Sequence, residues 1–145
     1  MMKELVIHID GASRGNPGPS GIGIVVKDIS GKVVKNIKKY IGIVTNNTAE
    51  YSAFLTALGE AEKLGASKIK IFLDSELVYK QYLGEYRTND KNLKEYLKKI
   101  REKEKNFLSV DVTHIPRENN KEADKLANIA INIGETGGDW GIALR

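Results

Sequence analysis

The chain has 145 residues, of which 41% are hydrophobic and 29% charged, and this suits one ordinary globular domain with one core, which excludes wholesale disorder. Its 23 lysines and arginines against 19 acidic residues give a formal net charge of +4, a modest bias toward polyanionic partners that decides nothing alone. The absence of cysteine excludes disulfides, thiolate metal sites and cysteine nucleophiles.

Strands are predicted first along the chain. A short β-branched run at residues 5–9 predicts a strand that stops at Asp10, before a segment crowded with turn-forming residues at 15–21. Residues 22–26 and 32–43 predict a second and a third strand, joined by a tight turn. These three strands are expected to form an antiparallel meander.

Helical spacing of alanines then predicts a helix that is capped by Asn46 or Asn47 and ends near Gly65. Alternating apolar residues at 69–73 predict a fourth strand ending at Asp74. A helical crossover should place this strand parallel to the first.

The remaining elements are predicted as two helices, a strand and a final helix. The first of the two helices covers residues 75–83. The second is predicted from the helical spacing of Leu93, Leu97 and Ile100 and runs to about residue 107, and the fifth strand covers 110–114. Asn119 or Asn120 is expected to cap the last helix, and an irregular tail that contains Trp140 is expected over about 133–145.

This order predicts an α/β fold: a mixed five-stranded sheet, three antiparallel strands then two parallel, with helices packed on it. No internal repeat or linker interrupts it, so residues 1–145 are expected to form a single domain.

Four acidic residues are placed where a site can form. Asp10 and Asp74 follow buried apolar runs, and sites in open sheets form beyond the carboxyl ends of neighbouring strands. Glu50 and Asp124 fall in the first turns of helices. Taken singly, each acid is explained as well by a turn, a cap or the helix dipole. Crowded together, they would repel one another unless a cation neutralised them, and oxygen ligands suit magnesium or manganese.

Four segments of the chain together resemble the motifs of the type 1 ribonuclease H family, in family order and over nearly the whole chain. They are residues 10–19 (DGASRGNPGP), 45–50 (TNNTAE), 73–78 (LDSELV) and 120–127 (NKEADKLA). The resemblance implies the ribonuclease H-like fold and largely sequence-independent hydrolysis of the RNA strand of RNA/DNA hybrids, giving 5′-phosphate and 3′-hydroxyl ends.

The resemblance also implies residue roles. Asp10, Glu50, Asp74 and Asp124 would hold two Mg²⁺ ions, with Mn²⁺ as a substitute and Asp10 as the bridging ligand. Of the residues predicted to bind substrate, three match groove-contacting positions and the fourth matches a residue that holds a DNA-strand phosphate. The three groove-contacting residues are Asn16, Asn46 and Glu76, and the phosphate-holding residue is Thr45. For both asparagines, turn or cap duty is an equal alternative.

The loop before Asp124 departs from the pattern of many family members, which carry a histidine there. The short segment 115–119 favours Arg117 as the auxiliary catalytic residue, with an exposed Arg117–Glu118 pair as the alternative. His114 is expected to be structural or to lie at the groove edge. Lys94, Lys98, Arg101 and Lys105 form a stripe that fits either a phosphate backbone or a solvated helix face.

Two other functions remain as alternatives at this point: a catalytically silent nucleic-acid-binding module, and a nuclease or nucleotidyl transferase that acts on DNA. No apolar run approaches the roughly 20 residues that span a bilayer, and no leader segment is recognisable. We therefore expect a cytoplasmic monomer with a nucleic-acid partner and no membrane partner.

Overall fold

The computed structural model describes residues 3–136 as five strands and four helices, with one turn of 3-10 helix at Arg117–Asn119. The strands are β1 Glu4–Ser13, β2 Gly18–Asp28, β3 Val33–Val44, β4 Lys68–Leu73 and β5 Ser109–His114. The helices are α1 Asn46–Lys63, α2 Glu76–Leu83, α3 Lys91–Glu104 and α4 Lys121–Thr136. None of these helices is long and apolar enough to cross a membrane.

The strands form one sheet in the order β3-β2-β1-β4-β5, which confirms the predicted mixed sheet. β1, β2 and β3 are antiparallel neighbours, and β4 and β5 continue the sheet in parallel with β1. The meander and the crossover through α1 were therefore both predicted correctly.

The prediction that the first strand stops at Asp10 is wrong. β1 continues to Ser13 because β2 pairs with it as far as the Ser13–Ser20 register, whereas the parallel ladder with β4 ends at His8. Asp10 therefore pairs with β2 on one side of β1, while on the other side it lies beyond the last residue that pairs with β4. A strand edge of this kind exposes a fixed side chain to a site.

Two helix boundaries also differ from prediction. Thr45, and not Asn46 or Asn47, caps α1, because its hydroxyl accepts a hydrogen bond from the Thr48 amide at 3.2 Å. The helix α4 continues through residues 133–136, where the irregular tail was expected to begin. The rest of that expected tail, including Trp140, lies outside the described residues.

Helices cover both faces of the sheet, and glycines set how closely they approach. A Cβ on Gly11 would lie 2.3 Å from the Ala49 carbonyl carbon in α1, and one on Gly23 would lie 2.1 Å from the Ala123 oxygen in α4. Gly23 pairs with Asp10, the neighbour of Gly11 in β1, and successive strand residues point to opposite faces. The helices α1 and α4 therefore pack on opposite faces, and Asp10 faces α4.

The core lies between α1 and the sheet. Ile7 and Ile9 of β1, Ile71 of β4, and Tyr51 and Phe54 of α1 are fully buried in it. The Tyr51 hydroxyl donates to Gln81 of α2 at 2.6 Å, so its polar end is satisfied inside the core. This packing fixes the first turn of α1 against β1.

Candidate active site

The four predicted carboxylates converge at one end of the sheet. Asp10 of β1, Glu50 of α1, Asp74 after β4 and Asp124 of α4 all line one cleft of about 360 Å³. Asp10 and Glu50 are buried at its floor, with 4% and 3% of their surfaces exposed. The cleft is also lined by Gly11, Ala12, Ser13, Asn46, Ser75, Arg117 and Asn128.

Glu50 is held at the floor of the cleft by the close approach of α1 to β1 at Gly11. The Gly11 amide donates to Glu50 Oε1 at 2.8 Å, and the missing Cβ is what allows this contact. The second oxygen, Oε2, is buried and has no hydrogen-bond partner within residues 3–136. A buried carboxylate oxygen without a partner is costly, which favours a ligand at this point.

The electrostatics of the cleft are set by burial and mutual repulsion. Burial, followed by the charge of Glu50, raises the pKa of Asp10 well above its ordinary value, and the charge of Asp74 acts in the same direction. Burial also raises the pKa of Glu50, while hydrogen bonds from Asp10 and the Gly11 amide act in the opposite direction. Buried acids whose pKa values are raised by burial and by one another's charge are stabilised when a cation neutralises them.

Two asparagines that the sequence analysis did not assign to the site hold its other acids. The Asn120 amide donates to Asp74 Oδ2 at 2.8 Å, and the Asn128 amide donates to Asp124 Oδ1 at 3.3 Å. Asn120 was expected only as a possible helix cap. The one sequence feature that could have assigned Asn120 to the site was its position at the start of the fourth motif. For Asn128 there was no such feature, because its i,i+4 spacing from Asp124 is common in helices.

Three of the four predicted substrate-binding residues lie together at the N-terminus of α1. Asn16 Oδ1 accepts from the Asn46 backbone amide at 3.0 Å, which joins the β1–β2 turn to the helix next to its cap, Thr45. The predicted cap duty thus falls to Asn16 and Thr45 together. Glu76 lies in the first turn of α2, two residues after Asp74, and is not among the residues that line the cleft.

Arg117 lines the cleft, and its positive charge partly opposes the burial that raises the pKa of Glu50. No ion pair joins it to Glu118 in the described part of the chain. His114 instead stacks on Tyr79, with ring centroids 5.7 Å apart, and its Nε2 lies 3.3 Å from the Asp74 carbonyl oxygen. Arg117 is thus among the residues that line the cleft, whereas His114 is not.

The basic stripe on α3 is only partly available to a partner. The Arg101 guanidinium donates to the Tyr82 carbonyl at 2.7 Å and lies over the Tyr82 ring, so this residue packs α3 against α2. Lys94 and Lys98 are exposed.

The chain matches a protein-family model described as reverse transcriptase-like over residues 8–130. It is 42% identical to ribonuclease HI of Halobacterium salinarum over 86% of this chain and 63% of that protein. It is also 37% identical to the bifunctional protein Rv2228c of Mycobacterium tuberculosis, over 89% of this chain and 36% of the other. The chain thus spans less than two thirds of these curated relatives.

Solved structures agree over nearly their whole length. The crystal structure of RNase H1 from Halobacterium salinarum matches with a TM-score of 0.87 and 41% identity, covering 89% of this chain and 98% of that one. LC11-RNase H1 in complex with an RNA/DNA hybrid matches with a TM-score of 0.86 and 37% identity, covering 91% and 99%. Fold and acid cluster together define a ribonuclease H-like α/β protein. Within that class, the chain belongs to the type 1 ribonuclease H family.

This family depends on divalent metal ions, and the donors of the cleft suit such an ion. All four acidic groups offer oxygen, and one buried oxygen of Glu50 lacks a partner within residues 3–136. Yet in that range no three acidic or imidazole side chains stand in a ready-made coordination arrangement.

Proposed function

We propose that this chain is an endoribonuclease that hydrolyses the RNA strand of RNA/DNA hybrids with little sequence preference. The observation that carries this proposal is the convergence of Asp10, Glu50, Asp74 and Asp124 in one cleft beside the N-terminus of α1. The hybrid-bound structure of LC11-RNase H1, 37% identical to this chain, supports the substrate. Products are expected to carry 5′-phosphate and 3′-hydroxyl ends.

The four carboxylates would hold two Mg²⁺ ions, with Mn²⁺ as a substitute. Asp10 is buried at the floor of the cleft that Glu50, Asp74 and Asp124 also line, which supports a role for its carboxylate in holding both ions. Bound at such a site, divalent ions stabilise the charge that develops on the phosphate and lower the pKa of water. Burial of Asp10 and Glu50 strengthens their attraction for cations, because the surroundings screen charge poorly.

The side chains at the rim would recognise and orient the hybrid. The hydrogen bond from the Asn46 backbone amide to Asn16 Oδ1 brings these two residues together beside the cleft, and their side chains would contact the 2′-hydroxyls of the RNA strand. Thr45 would hold a phosphate of the DNA strand, and Glu76 would approach the groove from α2. Arg117, which lines the cleft, would stabilise negative charge on the scissile phosphate.

The test is an end-labelled cleavage assay on RNA/DNA, RNA/RNA, DNA/DNA and single-stranded RNA, with magnesium, manganese or chelator. We expect magnesium-dependent cutting of the RNA strand of the hybrid and no cutting with chelator. Efficient cutting of DNA/DNA would move the function to a DNA nuclease, and binding without cutting would indicate a silent nucleic-acid-binding module.

We further propose that the chain is a single catalytic domain acting as a monomer in the cytoplasm. Sedimentation at several concentrations tests the oligomeric state, and a mass that rises with concentration would contradict it.

A further inference from the structure

Asn120 makes two strong contacts from one amide group. Its Nδ2 donates to the Ile9 carbonyl at 2.8 Å and to Asp74 Oδ2 at 2.8 Å, and the residue is only 1% exposed. Ile9 immediately precedes Asp10 in β1, and Asn120 immediately precedes α4, which carries Asp124. One side chain thus joins the strand of the first acid, the carboxylate of the third and the helix of the fourth.

Helix capping, the ordinary role of an asparagine before a helix, does not explain this geometry. A capping asparagine accepts hydrogen bonds through Oδ1 from the amides of the first turn. Asn120 Oδ1 is buried and accepts no hydrogen bond from any residue in the range 3–136. The first turn of α4 is instead closed by the backbone, since the Asp124 amide donates to the Asn120 carbonyl.

The orientation of the amide follows from its two partners. The Ile9 carbonyl can only accept, and an ionised Asp74 carboxylate can only accept. A rotated amide would bring Oδ1 against both oxygens, so Nδ2 must face them. Asn120 therefore donates to Asp74 Oδ2 and holds this oxygen in place, while adding no charge to the cleft.

We propose that Asn120 is a positioning residue that holds Asp74 in register with Asp10 for binding the divalent ion. This inference rests on the proposed function. Groups that orient metal ligands typically change metal affinity or activity by about 10- to 100-fold when they are removed. Loss of the Asn120 amide should therefore weaken divalent-ion binding by at least about tenfold.

The experiment compares wild type with Asn120→Ala and Asn120→Asp, and with Asn119→Ala as a matched control. Asn119 is exposed, lies one residue earlier in the 3-10 turn and does not line the cleft. Calorimetry measures Mn²⁺ and Mg²⁺ binding to each purified protein without substrate. Single-turnover cleavage of one hybrid then gives the magnesium midpoint and the hybrid KM, and thermal melts report folding.

Both Asn120 variants should bind the ions more weakly and need more magnesium, while the hybrid KM and the Asn119→Ala values stay at the wild-type level. Asn120→Asp keeps the shape of the side chain but removes the donor, so it decides the matter if Asn120→Ala does not fold. A lower melting temperature with unchanged ion binding would show a merely structural role and overturn the proposal.

Failure of the proposed function gives a different result. If wild type binds the ions but does not cut the hybrid, the nuclease assignment fails, while calorimetry still tests the role of Asn120. If wild type binds neither ion, the role proposed for Asn120 is overturned as well.

Discussion

Replacement of Asp10 by asparagine should abolish cleavage and at the same time stabilise the metal-free protein. The substitution keeps the shape of the side chain and removes a buried carboxylate whose pKa is raised by burial and by the charge of Glu50. An amide in its place can donate to the neighbouring oxygens without adding charge. The acid is therefore expected to serve function at a cost to the stability of the fold.

The size of that cost follows from the raised pKa of Asp10, caused first by burial and next by the charge of Glu50. At pH values between the unfolded and the folded pKa of Asp10, the folded state binds one proton more than the unfolded state. The free energy of unfolding of wild type therefore falls as the pH rises through this range. Each pKa unit corresponds to about 1.4 kcal/mol. At pH 8 we expect Asp10→Asn to raise the free energy of unfolding by about 2 to 3 kcal/mol. This is less than the full displacement of the Asp10 pKa implies, because Asp10 and Glu50 interact strongly and do not titrate independently.

For a chain of this length, that gain should raise the melting temperature of Asp10→Asn by about 5 to 10 °C in chelator near pH 8. The difference should vanish below about pH 4, where folded and unfolded states are both protonated. Added magnesium should stabilise wild type more than the variant, because ligand binding stabilises only the protein that binds it.

The assay combines thermal melts, with and without magnesium, and cleavage of a labelled hybrid. Asp111→Asn is the matched control, since Asp111 is an exposed acid on β5 that does not line the cleft. A variant that cuts at near wild-type rate in magnesium would refute the role of Asp10. A melting temperature below that of wild type at pH 8 would refute the electrostatic argument.

Three further predictions follow from the same geometry. Arg117→Ala should slow single-turnover cleavage by roughly 10- to 1000-fold at saturating magnesium while His114→Ala changes it little, and a slower His114→Ala would reverse the two assignments. A DNA strand with about four consecutive ribonucleotides should suffice for cutting on gels, whereas an all-DNA duplex should survive. Gly23→Ala should lower the free energy of unfolding by about 2 to 3 kcal/mol in urea, because its Cβ would meet the Ala123 oxygen. Gly59→Ala, in open space on α1, is the control and should be neutral or stabilising.

Much of the fold could be predicted because local sequence and tertiary structure agree. The alternation of Ile69, Ile71 and Leu73 gave β4, and each of these residues is buried on the same face. The second helix was predicted from Ser75 to Gly84, which are its observed caps, with Gly84 at a φ of 83°. Both signals depend on neighbouring residues alone.

The errors occur where a distant residue decides the outcome. Nothing local distinguishes Thr45 from Asn46 as a cap, and contact between the Asn46 amide and Asn16, thirty residues earlier, favours Thr45. Asparagine is a common helix-capping residue, yet the side-chain amide of Asn120 donates to the Ile9 carbonyl and to Asp74. Long-range partners of this kind leave no periodic signal in the sequence.

Support for the acid cluster comes largely from neutral donors, and this has a consequence for its chemistry. The Gly11 amide and the Asn120 side chain orient Glu50 and Asp74 without cancelling their charge. A lysine at either place would satisfy the same oxygens but would compete with a divalent ion for their charge. Among the residues that line the cleft in the described part of the chain, Arg117 is the one cation. The protein thus leaves the repulsion among its acids largely uncompensated, and binding of divalent ions would relieve it.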